Sequence, residues 1–279
     1  MEHTRTQYLS SVRSVVIKLG TQLLSDAQGK LDSAFVANIA QQVRQLRARS
    51  IRVSIVSSGA IGAGIAELKL PGRPTDLAKL QAVAAVGQRR LMDAWAAAFA
   101  SSEIPVAQIL LTREDINERS RYLNLRNTIH AVHELGAIPI INENDTVSTD
   151  ELIKITFGDN DILAALVAHA MRADLLVLMS VVDGVLDAAG QPVRLVQSIA
   201  QARELIRAEK SALGKGGMNS KIEAARMLNA AGEVMIVADG RMPDVLPRLL
   251  GGEPLGTLFI SANKKLPSRS RWIGSVRCV

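Results

Sequence analysis

One stretch of the sequence decides the fold: Pro139-Ile140-Ile141-Asn142-Glu143-Asn144-Asp145-Thr146-Val147. Its apolar start predicts a buried strand, and the strand gives way abruptly to amides and carboxylates. In an open α/β sheet, ligands bind outside the carboxyl ends of the strands. These side chains therefore suit a small molecule that carries both an ammonium and a carboxylate group. A polar loop whose Asn and Asp side chains cap turns is the other interpretation, and the rest of the chain must decide.

Composition limits the class of protein. The chain has 279 residues, of which 48% are hydrophobic and 3% aromatic, which is enough for a substantial aliphatic core. Its single cysteine, Cys278, can form neither an intramolecular disulfide nor a cysteine-based zinc site. No apolar run reaches membrane-spanning length, and residues 1–12 lack the apolar core of a signal peptide. We therefore expect a cytoplasmic protein.

The net charge of +6 suits an enzyme that acts on anionic substrates. The basic residues are spread along the chain except near its end, and no interleaved aromatic side chains offer a platform for stacking bases. Nucleic-acid binding is therefore not expected as the main function.

Strand-like and helix-like segments alternate along the chain. Phe35, Ile39, Val43 and Leu46 recur at helical spacing, with Ser33 as the predicted N-cap. Repeated β–α alternation predicts an α/β fold, a three-layer α-β-α sandwich with a mostly parallel central sheet. The other predicted elements are strands at 14–19, 52–56, 106–111, 137–141, 175–179 and 233–237, and helices at 76–100, 122–135, 161–171 and 220–231.

Three segments could bind a phosphate group. Lys18 ends an otherwise apolar strand, where its ammonium group could bind phosphate or could snorkel from a sheet edge. The glycines of Ser57–Gly64 would let the backbone approach a ligand, although tight strand–helix packing explains them equally well. The segment 213–221 is a basic, glycine-rich loop that leads into a helix with Ser220 as its predicted cap. A flexible basic loop is the alternative there.

The run Asp159-Asn160-Asp161 lies at the start of a predicted helix. Asp161 could simply cap that helix, or its carboxylate could hold two ammonium groups in position. Two lysines and glycine-loop amides can stabilise the charge on a transferring phosphoryl group, which needs positioning and electrostatics more than a strong base. The residues together favour phosphoryl transfer.

These motifs resemble the glutamate 5-kinases of the amino acid kinase superfamily. The sequences Asn-Glu-Asn-Asp at 142–145 and Gly-Asp-Asn-Asp at 158–161 are the most specific part of the resemblance, which extends to about Arg271. The other matching stretches are 16–21, 56–61, 122–124, 126–128, 139–147, 157–161 and 216–218, with Lys221.

The resemblance implies a reaction and its cofactors. ATP would phosphorylate the γ-carboxylate of L-glutamate, the first step of proline biosynthesis, with Mg²⁺ bridging phosphate oxygens and no metal site made of protein side chains. The γ-carboxylate is itself the nucleophile and is already ionised at neutral pH. No general base is required.

The resemblance also implies roles for individual residues. Lys18 and Lys221 match the lysines that neutralise the transferring phosphoryl group, and Asp161 matches the aspartate that orients them. The implied glutamate-binding residues are Ser58, Gly59, Asn142, Asp145, Asp159 and Asn160, and the implied ATP-binding residues are Lys18, Gly20, Ser180, Gly214, Lys215, Gly216, Gly217, Met218, Asn219, Ser220 and Lys221.

Two features depart from most bacterial members. Those proteins usually carry Thr-Asp at the nucleotide base, whereas this chain has Ser180-Val181, as in the kinase half of the eukaryotic bifunctional pyrroline-5-carboxylate synthase. Many bacterial members also continue into a small PUA domain. We expect an amino acid kinase domain over 1–262 and a C-terminal extension over 263–279, without a PUA domain.

The family resemblance implies a homodimer or homotetramer, with proline as a feedback inhibitor acting near the segment 148–157. Two alternatives stay open. The first is a related kinase of another acidic substrate such as N-acetylglutamate, whose acetylated amine would not need Asp145. The second is a non-catalytic amino acid sensor, against which the presence of Lys18, Asp161 and Lys221 argues.

Overall fold

The structure is a computed structural model that describes residues 2–26, 28–147, 160–187, 189–209 and 217–261. Helices and strands alternate along most of this part of the chain. In chain order they are α1 (Glu2–Leu9), β1 (Ser14–Leu19), α2 (Thr21–Leu24), α3 (Ser33–Ala48), β2 (Arg52–Ser57), α4 (Ala60–Glu67), α5 (Leu77–Ala100), β3 (Val106–Leu111), α6 (Arg113–Asn117), α7 (Arg119–Glu134), β4 (Ile138–Glu143), α8 (Asp161–Met171), β5 (Leu175–Ser180), β6 (Leu195–Val196), α9 (Ile199–Glu209), α10 (Gly217–Ala230), β7 (Met235–Asp239), α11 (Val245–Leu250) and β8 (Thr257–Phe259).

The chain divides into two compact units. The first contains the described residues up to Lys18, residues 45–53 and the described residues from Asp161 onward, and the second contains the described residues of 19–44 and 54–160. The α/β class with mostly parallel strands is confirmed. Among the described residues, no helix combines the length and the hydrophobicity needed to cross a membrane.

The strands of the first unit follow the order β1, β5, β7, β8, β6. β5 and β7 are parallel, with Leu176 opposite Met235, while β7 and β8 are antiparallel. Residues 175–179 are at most 1% exposed, as expected for a parallel strand that is covered on both faces. The carboxyl end of this strand, Ser180, is the first position where the chain returns towards solvent.

The strands of the second unit follow the order β3, β4, β2 and are all parallel. Ile55 of β2 lies opposite Ile140 of β4, and both side chains are fully buried. Strand β4 continues past the predicted end at Ile141, because Asn142 and Glu143 pair with the last two residues of β3. The polar run that starts at Asn142 therefore begins inside the strand and not after it.

Helices α4 and α5 approach so closely that only glycine fits at two contacts. A Cβ atom on Gly87 would lie 1.8 Å from the carbonyl oxygen of Ala60, and one on Gly64 would lie 2.0 Å from the carbonyl oxygen of Val83. Both distances are far below van der Waals contact. This packing fixes the first turns of α4 beside the middle of α5, and it explains part of the glycine content of the segment 57–64.

Several predicted boundaries were wrong, among them the start of α7, which begins at Arg119 and not at 122. Ser33 is the first residue of α3 and not its cap, because the carboxylate of Asp32 accepts the hydrogen bond from the backbone N–H of Phe35, at 2.9 Å. Helix α10 begins at Gly217, so Ser220 lies within its first turn. Strand β7 lies two residues later than predicted. Helix α6 is an element that the periodicity did not predict.

Candidate active site

The second unit contains a pocket of about 200 Å³. This is smaller than the roughly 300–1,000 Å³ of pockets for drug-sized ligands, so it suits a molecule of amino-acid size. The structure brings together five of the six residues predicted to bind glutamate, while Asp159 lies outside the described residues. The pocket is lined by Thr21, Ser58, Gly59, Ala60, Ile61, Gly62, Ile65, Arg73, Asn142, Asp145 and Asn160.

The turn between β2 and α4 forms one wall of this pocket. Gly59 precedes α4 with a φ of 97°, a left-handed conformation that favours glycine. Ala60 and Ile61, the first residues of α4, also line the pocket. Backbone N–H groups in a first helical turn carry partial positive charge, so this wall favours a carboxylate group.

A chain of three buried amides forms another wall. Asn142 Nδ2 donates a hydrogen bond to Gln88 Oε1, and Asn160 Nδ2 donates one to Asn142 Oδ1, both at 2.8 Å. The backbone N–H of Glu143 also donates to Asn142 Oδ1, at 2.9 Å. Asn160 Nδ2 lies 3.4 Å from the carbonyl oxygen of Ser57. Three side chains from α5, β4 and the residue before α8 therefore hold one another.

One acceptor among these three amides has no hydrogen-bond partner in the described part of the protein. Asn160 is 5% exposed, and its Oδ1 atom is buried without a hydrogen bond from any described residue. A buried acceptor left unsatisfied costs about 1–3 kcal/mol. An ammonium group of a ligand would satisfy it.

Two opposite charges line the same pocket, those of Asp145 and Arg73. Burial and, to a smaller extent, the neighbouring Glu143 raise the pKa of the half-buried Asp145 carboxyl to about 6, against the opposite effect of the Arg73 guanidinium. A carboxylate whose charge is disfavoured in this way gains from a cation beside it. The pocket thus offers an acid for an ammonium group and a guanidinium for a carboxylate group.

The first unit contains a different kind of site, built around Asp161 at the start of α8. The ammonium group of Lys18 lies 2.8 Å from Asp161 Oδ1, and that of Lys221 lies 3.0 Å from Asp161 Oδ2. Ser220 donates a hydrogen bond to the same Oδ2 atom at 2.9 Å. We call these four residues the lysine–aspartate cluster. The two ammonium groups and the one carboxylate leave a net charge of +1.

The electrostatics of this cluster keep it ionised. Burial by itself would raise the pKa of Asp161, whose side chain is fully buried, but the charges and hydrogen bonds of Lys18 and Lys221 outweigh burial and hold that pKa below its ordinary value. Buried charges of this kind are stable only when paired and hydrogen-bonded. The cluster is therefore a fixed positive site that suits an anion.

The structure corrects one prediction for these residues. Ser220 does not cap α10, since that helix begins three residues earlier and the hydroxyl group donates to Asp161 instead. The Asp161 carboxylate joins the two lysines, as the resemblance implied. Its position at the start of α8 does give that helix an acidic residue in its first turn.

The residues predicted to hold ATP are only partly described. Ser180 ends β5, where its carbonyl oxygen accepts a hydrogen bond from the backbone N–H of Gly240. Gly20 precedes the short helix α2 in extended conformation. Gly217, Met218 and Asn219 form the first turn of α10, and Gly214, Lys215 and Gly216 lie outside the described residues.

Gln88 and Arg73 are polar residues of the pocket region that sequence reasoning missed. Gln88 lies in the buried stripe of α5 that contains Ala84, Leu91 and Trp95, so a polar residue at an apolar position was the available signal. Arg73 lies in the connection between α4 and α5 and carries no local signal, because only the fold brings it beside Asp145.

Known proteins resemble this chain over most of its length. Residues 13–239 match the amino acid kinase family. Glutamate 5-kinases from Rhodopirellula baltica, Methanosarcina barkeri and Herpetosiphon aurantiacus are 40%, 41% and 43% identical over 277, 283 and 270 residues. These alignments cover 97%, 96% and 94% of this chain and 71%, 74% and 72% of those proteins.

Solved structures share the fold at much lower identity. UMP kinase from Bacillus anthracis has a TM-score of 0.60 at 18% identity and covers 90% of this chain and 97% of its own. Carbamate kinase from Giardia lamblia bound to AMP-PNP has a TM-score of 0.61 at 17% identity and covers 90% and 99%. At these identities the likeness shows the fold alone.

Proposed function

Because the chain belongs to the glutamate 5-kinases of the amino acid kinase family, we propose that it transfers the γ-phosphoryl group of ATP to the γ-carboxylate of L-glutamate. The product is L-glutamyl 5-phosphate, and the reaction is the first step of proline biosynthesis. The observation that carries the proposal is the convergence of Lys18, Lys221 and Ser220 on the single carboxylate of Asp161. Two buried lysines on one aspartate leave one positive charge in excess, which a bound anion would neutralise.

The cluster would act on the transferring phosphoryl group. A γ-carboxylate oxygen forms the new bond to phosphorus, the bond from phosphorus to the bridging oxygen of ATP breaks, and its electron pair leaves with ADP. Lys18 and Lys221 neutralise the charge of the phosphoryl oxygens, and Asp161 keeps both ammonium groups in place. No proton is transferred, because the attacking carboxylate is already ionised.

The pocket of the second unit would bind glutamate by its α-groups. Asp145 and the Asn160 Oδ1 atom receive the ammonium group, and Arg73 receives the α-carboxylate. Ser58, Gly59 and Asn142 complete this set, together with the predicted Asp159. Asn160 and Asp161 are consecutive in the sequence. A residue proposed to bind glutamate is therefore followed directly by one proposed to act in phosphoryl transfer.

ATP would be held by Lys18, Lys221, Gly20, Ser180 and the residues 214–220. Phosphate oxygens and water would supply most of the ligands of Mg²⁺, since that ion usually takes only one or two protein carboxylates. The ion, when bound, would neutralise charge on the phosphate oxygens. The start of α10 supports phosphate binding, because Met218, Asn219 and Ser220 lie in a first helical turn.

The test is a hydroxylamine trap with a panel of acceptors. ATP and Mg²⁺ are supplied with L-glutamate, N-acetylglutamate, L-aspartate or no acceptor, and the acyl phosphate is measured as hydroxamate. We expect hydroxamate and matching ADP release with L-glutamate alone. Turnover with N-acetylglutamate instead would favour the related kinase, and glutamate binding without turnover would favour a sensor.

The charge in the pocket favours L-glutamate over N-acetylglutamate. Acetylation removes the ammonium charge, so Asp145 would face a neutral amide. No cation of the ligand would then offset the free-energy cost of burying the Asp145 carboxylate. Asn160 Oδ1 would then accept from an amide N–H, a weaker hydrogen bond than one from an ammonium group.

The remaining proposals concern the oligomeric state, feedback inhibition, cellular location and domain boundary of the protein. We propose a homodimer or homotetramer in the cytoplasm, feedback inhibition by proline at the glutamate pocket, and a domain boundary at residue 262. Light scattering of the purified chain tests the first proposal. Competition between proline and glutamate in the hydroxamate assay tests the second, since a shared pocket requires proline to raise the KM for glutamate.

A further inference from the structure

We infer that the hydroxyl group of Thr21 binds the γ-carboxylate of the substrate and so selects an amino acid with an acidic side chain. The inference rests on the proposed function, because it takes L-glutamate as the ligand of the pocket. The contacts proposed for Asp145, Asn160 and Arg73 are all with the α-groups of glutamate. They leave the carboxylate that attacks phosphorus without a side-chain partner.

Thr21 lines the pocket and is the first residue of α2. Its hydroxyl group does not cap that helix, because the N-cap is Gly20, whose carbonyl oxygen accepts hydrogen bonds from the backbone N–H groups of Leu23 and Leu24. Within the described part of the chain, no group is hydrogen-bonded to the Thr21 hydroxyl, and the residue is exposed. The hydroxyl group is therefore available to a ligand.

The sequence places Thr21 close to a catalytic lysine. It follows Lys18 by three residues, so at most about 11 Å of extended chain separates the two. Ser58, which also lines the pocket, donates its backbone N–H to the carbonyl oxygen of Leu19 at 3.1 Å. The end of β1 therefore forms one end of the pocket. We expect the γ-carboxylate at this end, because it is the group of glutamate that must reach the phosphoryl group bound by Lys18.

A carboxylate needs hydrogen-bond donors. Asn160 also adjoins the cluster in sequence, but its Nδ2 atom donates to Asn142 Oδ1 and to the carbonyl oxygen of Ser57, and its Oδ1 atom can only accept. Asn160 is therefore unsuited to a carboxylate. Two side-chain donors adjoin the end of β1, the hydroxyl groups of Thr21 and Ser58. The family resemblance assigns Ser58 to glutamate and assigns nothing to Thr21.

The hydroxyl group would donate to the γ-carboxylate oxygen that does not attack phosphorus. Such a hydrogen bond to a charged acceptor is about twice as strong as one between neutral groups. It would limit rotation of the carboxylate while the attacking oxygen keeps its lone pairs. Thr21 keeps its proton throughout, because the carboxylate is already ionised. A ligand without a γ-carboxylate would gain nothing from this hydroxyl group.

The test compares Thr21→Val, which removes the hydroxyl group at nearly constant shape, with Thr21→Ser, which keeps it. The ligands are L-glutamate and L-2-aminobutyrate, which has the same α-groups and no γ-carboxylate. Calorimetry gives the dissociation constant of glutamate, and competition with glutamate gives that of L-2-aminobutyrate. The matched control is Thr6→Val, the same substitution at an exposed position of α1.

We expect Thr21→Val to weaken glutamate binding about tenfold, the effect of losing one hydrogen bond to a charged group. Binding of L-2-aminobutyrate changes little, so the preference for glutamate falls by the same factor. Thr21→Ser and Thr6→Val keep the preference of the unaltered chain. Thermal unfolding shows that each variant is folded, as expected for substitutions at exposed positions.

Three results would overturn the inference. Unchanged glutamate binding in Thr21→Val would mean that the hydroxyl group does not contact the ligand. An equal loss for both ligands would mean that Thr21 only shapes the pocket. A loss in Thr21→Ser as large as in Thr21→Val would assign the effect to the methyl group. Failure of the proposed function would show differently, as an unaltered chain that forms no glutamate-dependent hydroxamate.

Discussion

The amide pocket of the second unit and the lysine–aspartate cluster of the first unit fix their polar groups by different means. In the pocket, neutral amides hold one another, and a single backbone N–H decides the orientation of all three. In the cluster, Asp161 orients two lysines by charge, with both N–O distances at or below 3.0 Å. The first arrangement selects a ligand by the direction of its hydrogen bonds, and the second suits any anion of the right size.

This difference fits the chemistry of an amino acid kinase. An amino acid substrate must be distinguished from molecules of similar structure. Directional hydrogen bonds discriminate strongly, because a ligand with the wrong group leaves a buried polar group of the protein unsatisfied. A phosphoryl group in transfer needs neutralisation of charge at a fixed place. Each region therefore supplies what its proposed ligand requires, and each can be altered separately.

The largest expected effect comes from the cluster. Lys221→Ala should lower kcat by about 10²–10³-fold, the usual cost of removing one group that stabilises transition-state charge. Steady-state hydroxamate assays measure it, and Lys79→Ala, at an exposed position of α5, is the control. A loss of less than tenfold would show that Lys221 does not contact the transferring group.

The second effect tests how rigidly the amide pocket is held. Gly87→Ala places a methyl group against the Ala60 carbonyl oxygen and should lower the free energy of unfolding by about 3 kcal/mol. Urea titration measures this, and glutamate binding should weaken more than ATP binding. Gly72→Ala, where a Cβ meets nothing within 4 Å, should change stability by less than about 0.5 kcal/mol.

The third effect separates the two regions by pH. The pKa of Asp145 is raised to about 6, and an ammonium ligand prefers its ionised form, so glutamate affinity should fall as the pH drops from 8 to 5. The lowered pKa of Asp161 keeps the cluster charged over the same range. Calorimetry in this range is the measurement.

Asp145→Asn should remove most of this pH dependence and weaken glutamate binding about tenfold at pH 8, consistent with the loss of one charged partner. Asp93→Asn, at a largely exposed residue paired with Arg89, should leave the pH profile unchanged. A pH profile for Asp145→Asn that matches the unaltered chain would assign the titration to another group.

The smallest effect concerns the hydroxyl group of the cluster. Ser220→Ala removes one of the hydrogen bonds to Asp161 while both lysines stay, so the free energy of unfolding should fall by about 1 kcal/mol. Ser102→Ala, which removes a hydroxyl bonded to the Phe99 carbonyl oxygen, is the control. A loss equal to that control would mean that the buried carboxylate does not depend on Ser220.

Much of this architecture could be predicted from the sequence. β1, β3 and α8 have the predicted bounds, because each is a strongly apolar run or a clear helical pattern with sharp ends. The predicted lysines and Asp161 do meet: Lys18 lies near the end of β1, Asp161 begins α8, and Lys221 directly follows the first turn of α10. Such positions converge at the carboxyl edge of a parallel sheet.

The rest depends on packing that no local pattern records. Strand β4 runs on through Asn142 because β3 supplies its partners, against the low strand propensity of asparagine. Helix α10 starts at Gly217 and not at Ser220, and the Ser220 hydroxyl group donates to Asp161, 59 residues away in sequence. Arg73 and Gln88 join the pocket region only through the close contact of α4 and α5.

The central claim is that binding of glutamate and transfer of the phosphoryl group are carried by separate sets of residues. The most direct test is the dissociation constant of L-glutamate measured by calorimetry on Lys221→Ala. We expect a value within about twofold of the unaltered chain, although turnover falls by two orders of magnitude or more. A dissociation constant that rises as steeply as turnover falls would contradict it, since the lysine would then belong to the glutamate site.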